Sequence, residues 1–149
     1  MERTASRRTA LTLGTGLGAA ITAAALVWMA IDHATSNSVA QHVIATYSPR
    51  GPVPDLAVPW IFLYSAFAIG VLSWTLAWFA ARRRAGWARG LITTSFVLGG
   101  ATLVFGFTVA EYGTPILPLP WRIVCLAVAG YGAVVALIAW LPTTERITE

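Results

Sequence analysis

Residues 59–110 decide the fold: PWIFLYSAFAIGVLSWTLAWFAARRRAGWARGLITTSFVLGGATLVFGFTVA. Two apolar runs flank the only dense cluster of charge in the chain, the arginines Arg82, Arg83, Arg84 and Arg89. Cytoplasmic loops of membrane proteins carry an excess of basic residues, so arginines between two apolar helices hold the connecting turn on the cytoplasmic side. This stretch therefore predicts a helical hairpin that crosses a membrane twice.

The spacing of the charged residues extends this prediction to the whole chain. The 149 residues are 57% hydrophobic and 11% charged, which is too apolar for a soluble domain. Four runs of 23, 26, 21 and 22 residues contain no charge, and a helix of about 20 apolar residues already crosses a hydrocarbon core of about 30 Å. We predict an all-α fold, an integral membrane four-helix bundle that forms a single transmembrane domain over residues 1–149. Its spans are expected at about 9–31, 58–81, 90–110 and 121–141, with an outer loop at 32–57.

The distribution of arginine predicts the orientation. With the amino terminus inside, eight of the ten arginines are cytoplasmic, and only Arg50 and Arg122 lie outside. We therefore expect both termini to be cytoplasmic. Because the arginines flank apolar runs, they indicate topology rather than a phosphate-binding patch, and we predict no nucleic-acid partner. The start Ser6-Arg7-Arg8-Thr9 resembles a twin-arginine export signal, but the following run exceeds the about 7–15 residues of a cleavable core, so we expect a membrane anchor.

The outer loop contains one amphipathic segment. Val39, Val43 and Tyr47 recur every four residues, the spacing of one helix face, while Gln41 and His42 lie on the other side. We predict a short amphipathic helix that either lies on the outer membrane surface or caps the bundle.

Small residues form a row on each predicted span. Such rows let membrane helices approach closely and are common where helices pack. Serines extend two of the rows, Ser73 on the second span and Ser95 on the third. The predicted helix-packing positions are Gly14, Gly18, Ala66, Gly70, Gly99, Gly106, Ala129 and Ala133.

The middles of the four spans contain no ionisable residue and no histidine. Pumps, ion-coupled carriers and membrane enzymes usually place ionisable groups at membrane depth, and a haem within the bundle needs axial ligands such as histidine. The chain also has no lysine, which excludes a Schiff-base lysine. We therefore predict no cofactor and no catalytic residue, and a non-enzymatic role is favoured.

The polar candidates lie on the outer rim. Two histidines and three carboxylates there are ordinary metal ligands, but their spacing matches no compact ligand motif, so a metal site and plain solvated polarity both stay open. Glu111 and Arg122 are expected to pair, and Asp32 and Asp55 to mark helix ends. The rim candidates are Asp32, His33, His42, Tyr47, Asp55, Glu111 and Arg122.

Several short features stand out along the chain: His42 with Tyr47, Gly70 with Trp74, Arg82-Arg83, Trp87-Ala88-Arg89 and Leu117-Pro118. With them the chain resembles, over most of its length, a loose group of small four-span bacterial membrane proteins. That resemblance implies a multi-pass protein of the bacterial inner membrane, and it implies no activity.

Three functions are open at this point. The first is a non-enzymatic accessory or assembly subunit of a larger membrane complex, which binds other membrane subunits or a second copy through its small-residue faces. The second is a binder or carrier of a lipid or quinone-like apolar molecule held between the helices. The third is an outer-facing metal site or metalloenzyme that uses His33, His42 and the nearby acids. The lipid bilayer is a partner in each.

Overall fold

The computed structural model describes residues 2–83 and 85–141, with side chains from Arg8 onward. Within those ranges the chain forms five helices and one two-stranded hairpin. In chain order the elements are α1 Glu2–Ala34, α2 Ser38–Tyr47, α3 Ala57–Arg82, α4 Ala88–Thr108, β1 Ala110–Glu111, β2 Thr114–Pro115 and α5 Leu119–Trp140.

The four long helices α1, α3, α4 and α5 are each long and apolar enough to cross a membrane. They pack together, and the closest pairs are α1 with α3 and α4 with α5. The prediction of four packed apolar helices is confirmed, while the side of the membrane on which the termini lie stays a prediction. Of the topology residues, Arg82, Arg83 and Arg89 are exposed around the α3–α4 turn, and Arg84 lies outside the described residues.

The short helix α2 caps one end of the bundle. Val39 is 0% exposed and Val43 is 2% exposed, and Val39 joins a core cluster that includes Met29 of α1, Trp60 of α3 and Trp121 of α5. Two positions were left open for this amphipathic helix, the outer membrane surface and the end of the bundle. Its apolar face packs on the end of the bundle. We call this end of the molecule the capped end.

Glycines create the closest contact between α1 and α3. A Cβ placed on Gly18 would lie 2.7 Å from the ring of Trp74, so only glycine leaves room for the indole there. A Cβ on Gly70 would lie 3.1 Å from the methyl group of Thr22. These two predicted packing positions do bring helices together.

The other predicted packing positions divide into two groups. A Cβ on Gly106 would lie 3.0 Å from the ring of Phe62, and one on Gly14 would lie 3.4 Å from a methyl group of Val135. Gly99 is different, because a Cβ there would meet no atom within 4 Å. Within the single chain Gly99 therefore faces open space, and its role in helix packing stays a prediction. Of the alanines, Ala129 is buried, whereas Ala66 and Ala133 are half-buried.

The connection between α4 and α5 is a small β-hairpin. Ala110 pairs with Pro115 and Glu111 with Thr114, in antiparallel register. The two residues between them, Tyr112 and Gly113, have φ angles of 55° and 75°, which is the tight turn whose twist suits a two-residue hairpin. This hairpin adds a minor β element to the predicted all-α fold and lies at the capped end.

Candidate functional site

Asp32 is the most deeply embedded charged residue at the capped end. It is 7% exposed although it belongs to α1 near its end. Its carboxylate accepts hydrogen bonds from the Ser36 hydroxyl, from the Ser38 hydroxyl at 2.6 Å and amide at 3.3 Å, and from the Trp121 indole N–H at 3.0 Å. Asp32 therefore joins α1, the start of α2 and α5. Asp32 lies two residues before the end of α1 at Ala34, as expected of a residue that marks a helix end, and these donors replace water around its carboxylate.

A second set of contacts surrounds Trp60 of α3. Asn37 adopts a left-handed conformation with φ 47° immediately before α2, and its side-chain oxygen accepts a hydrogen bond from the Trp60 indole at 3.0 Å. The His33 ring stacks on Trp60 with centroids 4.3 Å apart. Its Nδ1 lies 3.3 Å from the Tyr64 hydroxyl oxygen. His33 is thus part of an aromatic cluster between α1 and α3.

Tyr47 fastens the end of α2 to the β-hairpin. Its hydroxyl donates a hydrogen bond to the Glu111 carboxylate, and this bond raises the pKa of Tyr47 to about 12. The Tyr112 ring meets the Tyr47 ring edge-on at 5.6 Å, and the Arg50 guanidinium lies 5.6 Å from the Tyr112 centroid. These contacts hold the amphipathic helix against the hairpin.

His42 makes a separate bond to the hairpin. Its Nε2 lies 2.8 Å from the carbonyl oxygen of Pro115. A carbonyl oxygen can only accept, so Nε2 carries the proton in this arrangement. His42 and His33 are therefore committed to different partners. In the described part of the chain, no three His, Cys, Asp or Glu side chains are close enough together to hold a metal ion.

The predicted ion pair between Glu111 and Arg122 is not formed. Glu111 binds Tyr47, while the Arg122 Nε donates to the Phe107 carbonyl at 3.1 Å and its guanidinium lies 4.6 Å from the Phe107 ring. Each charge therefore has a different partner, that of Glu111 on α2 and that of Arg122 on α4. The remaining rim candidate, Asp55, is exposed and accepts a hydrogen bond from the Ala57 amide at 2.9 Å, so it does mark the start of α3.

A second candidate site lies away from the rim, in a cleft between α3 and α4. This α3–α4 cleft has a volume of about 230 Å³ and is partly open to the surroundings of the bundle. It lies halfway along the helices, and its floor reaches α1 and α5. The cleft exists because small residues from all four helices meet there, namely Thr22, Gly70, Gly99, Gly100, Ala129 and Gly132.

The walls of the α3–α4 cleft combine aromatic rings with hydroxyl groups. Trp74 and Phe96 supply the rings, and Ser73 and Ser95 supply two of the hydroxyls. No Arg, His, Asp or Glu lines the cleft. Such an opening suits an uncharged molecule, since a charge at this depth would have no partner.

Sequence reasoning identified the rim candidates but missed most of their partners and the cleft. The serines four and six residues after Asp32 offered a local signal, because such spacing lets a carboxylate accept from the following turn. The contribution of Trp121 had no local signal, because 89 residues separate it from Asp32. Ser73 and Ser95 were predicted only as members of packing rows.

No protein family model matches this chain, and no curated protein or solved structure shows significant similarity to it.

Proposed function

We propose that this chain is a non-enzymatic, multi-pass membrane protein that binds a small uncharged apolar molecule of lipid or quinone type in the α3–α4 cleft. The observation that carries the proposal is a cleft of about 230 Å³ that reaches the bundle core, is partly open at the side and has no charged residue in its walls. A bilayer surrounds such a cleft with hydrocarbon, so molecules dissolved in the membrane reach it directly.

The physical support comes from the cost of leaving the cleft empty. Protein interiors are close-packed, and atoms that line a void lose their dispersion contacts on one side. Water is a poor filling for a largely apolar cavity, because each water needs several polar partners. An apolar molecule from the bilayer restores the missing contacts, and this favours occupancy.

The decisive experiment compares bound small molecules in two glycine variants. We expect mass spectrometry of protein purified in a mild detergent to detect one enriched uncharged species, and Gly99→Phe to deplete it. A Cβ at Gly99 meets no atom within 4 Å and Gly99 lines the cleft, so we expect the new ring to occupy part of the cleft. Gly130→Phe is the matched control, since Gly130 is also exposed on a long helix with open space beside it but lies outside the cleft. Wild-type protein with no enriched species, or equal retention in both variants, contradicts the proposal.

We also propose a second function, that of an accessory or assembly subunit of a larger bacterial inner-membrane complex. A different surface of the molecule favours it. Tyr112 at the hairpin tip is 59% exposed and Ile44 on the outer side of α2 is 44% exposed, both outside the four apolar spans. Exposed apolar side chains at such a place suit contact with another subunit. Native mass spectrometry after mild extraction tests it, and a monomer without a co-purifying protein argues against it.

A further inference from the structure

The α3–α4 cleft contains hydroxyl groups that have no partner in the described part of the chain. Two of the three threonines that line the cleft bond to their own helices, Thr22 to the Gly18 carbonyl at 2.8 Å and Thr102 to the Leu98 carbonyl at 2.9 Å. Threonines and serines in membrane helices commonly satisfy themselves in this way. The third threonine, Thr94, is exposed and makes no side-chain hydrogen bond within the described residues. Within the described residues, neither Ser73 nor Ser95 makes such a bond or any other side-chain hydrogen bond.

The depth of these two serines makes their unused donors significant. Ser73 precedes the end of α3 at Arg82 by nine residues, and Ser95 follows the start of α4 at Ala88 by seven. At a rise of about 1.5 Å per residue, they lie about 14 Å and about 11 Å along the helices from the α3–α4 turn. In a hydrocarbon core of about 30 Å, both are far from interfacial water. A hydroxyl at that depth is stabilised by an acceptor, and an occupant of the cleft that carries an oxygen supplies one.

The aromatic walls of the cleft are held in place from behind. Trp74 lies against Gly18, as described above, and its ring is 5.9 Å from that of Tyr131. Phe96 lies close to Gly132, where an added Cβ would be 3.1 Å from the Phe96 ring. Rings supported in this way offer preorganised surfaces to a flat molecule, since aromatic groups stack offset or edge to face.

The volume limits the size of the group that enters. An apolar cavity of about 150 Å³ in another protein holds benzene, so about 230 Å³ accommodates one substituted six-membered ring. A longer hydrocarbon tail has to leave through the open side, past the exposed residues Ile69 and Leu98. Phosphate and carboxylate head groups do not fit the chemistry, because the walls carry no cation.

We infer that the occupant is an uncharged single-ring molecule with carbonyl oxygens and an apolar tail, of benzoquinone type, whose oxygens accept hydrogen bonds from Ser73 and Ser95. This inference rests on the proposed function and specifies its ligand class. The protein contributes two neutral donors and two aromatic surfaces, and the bilayer receives the tail.

The test measures binding of decyl-benzoquinone to the wild-type protein and to a Ser73→Ala/Ser95→Ala double variant, both in lipid nanodiscs. A neutral hydrogen bond contributes about 0.5–1.5 kcal/mol, so we expect roughly fivefold weaker binding for each serine and on the order of 20-fold for both. The infrared carbonyl stretch of the bound quinone should lie at lower frequency in wild type than in the double variant. Ser65→Ala is the matched control, because Ser65 is exposed on α3 outside the cleft.

The outcomes separate the ligand class from the proposed function. Equal quinone affinity in wild type and double variant, or an unshifted carbonyl band, overturns the inference. If Gly99→Phe still depletes a bound apolar species that does not compete with the quinone, the proposed function stands and the ligand class is wrong. Thermal unfolding of the double variant serves as the folding control, and it should match wild type because neither serine makes a side-chain hydrogen bond in the described residues.

Discussion

Replacing Asp32 by alanine should loosen the capped end and lower the stability of the whole bundle. The carboxylate is 7% exposed and accepts hydrogen bonds from Ser36, Ser38 and Trp121. Trp121 is 1% exposed, so its indole N–H has no access to water once the acceptor is gone. The Ser36 hydroxyl is on an exposed residue and can turn to solvent.

The expected magnitude follows from these exposures. A buried donor left without an acceptor costs about 1–3 kcal/mol, and a lost hydrogen bond to a charged group costs about 1.5–3 kcal/mol. The full cost applies to Trp121, part of it to the half-buried Ser38 and almost none to the exposed Ser36. We therefore expect Asp32→Ala to lower the free energy of unfolding by about 3–5 kcal/mol. Trp121→Phe removes the donor but keeps an aromatic ring. A double-mutant cycle between the two positions should therefore show a coupling of about 1–3 kcal/mol.

The assay is equilibrium unfolding in mixed micelles, followed by tryptophan fluorescence and far-ultraviolet circular dichroism. Asp55→Ala is the control, because Asp55 is exposed and accepts only the Ala57 amide bond at the start of α3. We expect it to cost about 1 kcal/mol or less. If Asp32→Ala unfolds within about 0.5 kcal/mol of wild type, or if the cycle shows no coupling to Trp121, the carboxylate does not hold the cap as described.

Two further predictions concern the hairpin contact and the α1–α3 contact. The Glu111 bond raises the pKa of Tyr47 from 10.0 to about 12, so its stabilisation should be complete below pH 10 and be lost as pH rises through about 12. A spectroscopic titration of tyrosinate should show Glu111→Gln lowering this pKa toward the ordinary value, and an unchanged titration contradicts the contact. At Gly18, a valine would force a Cβ to 2.7 Å from the Trp74 ring, so Gly18→Val should destabilise the bundle by about 1–3 kcal/mol, whereas Gly130→Val, in open space, should not. Equal melting temperatures of these two variants would refute the packing.

The long helices were predictable because a bilayer imposes a length and a composition that can be read from one chain. The second span was expected at 58–81, and α3 occupies Ala57–Arg82. The first helix continues to Ala34, past the predicted end at 31, and it includes Asp32, whose carboxylate is hydrogen-bonded inside the cap. Charge spacing locates apolar runs well, but it treats every carboxylate as solvated.

The cleft was not predictable, because a row of small residues has two structural meanings. Where a glycine meets a large side chain, as Gly18 meets Trp74, the row brings two helices together. Where no large side chain lies opposite the glycine, as at Gly99 beside the cleft, the same row leaves a space. Only the pairing between helices distinguishes the two, and that pairing is tertiary information.

The hydrogen bonds between helices are distributed unevenly around the bundle, with a mechanical consequence. Between α1 and α5, Trp121 donates to Asp32 near the cap, and the Tyr131 hydroxyl donates to the Gly14 carbonyl at 2.7 Å further along. Among the described residues, no side-chain hydrogen bond joins α3 to α4. Hydrogen bonds therefore join α1 to α5, whereas α3 and α4 are held to each other by van der Waals contacts. Separating α3 from α4 loses only those contacts, which lipid tails replace at little cost.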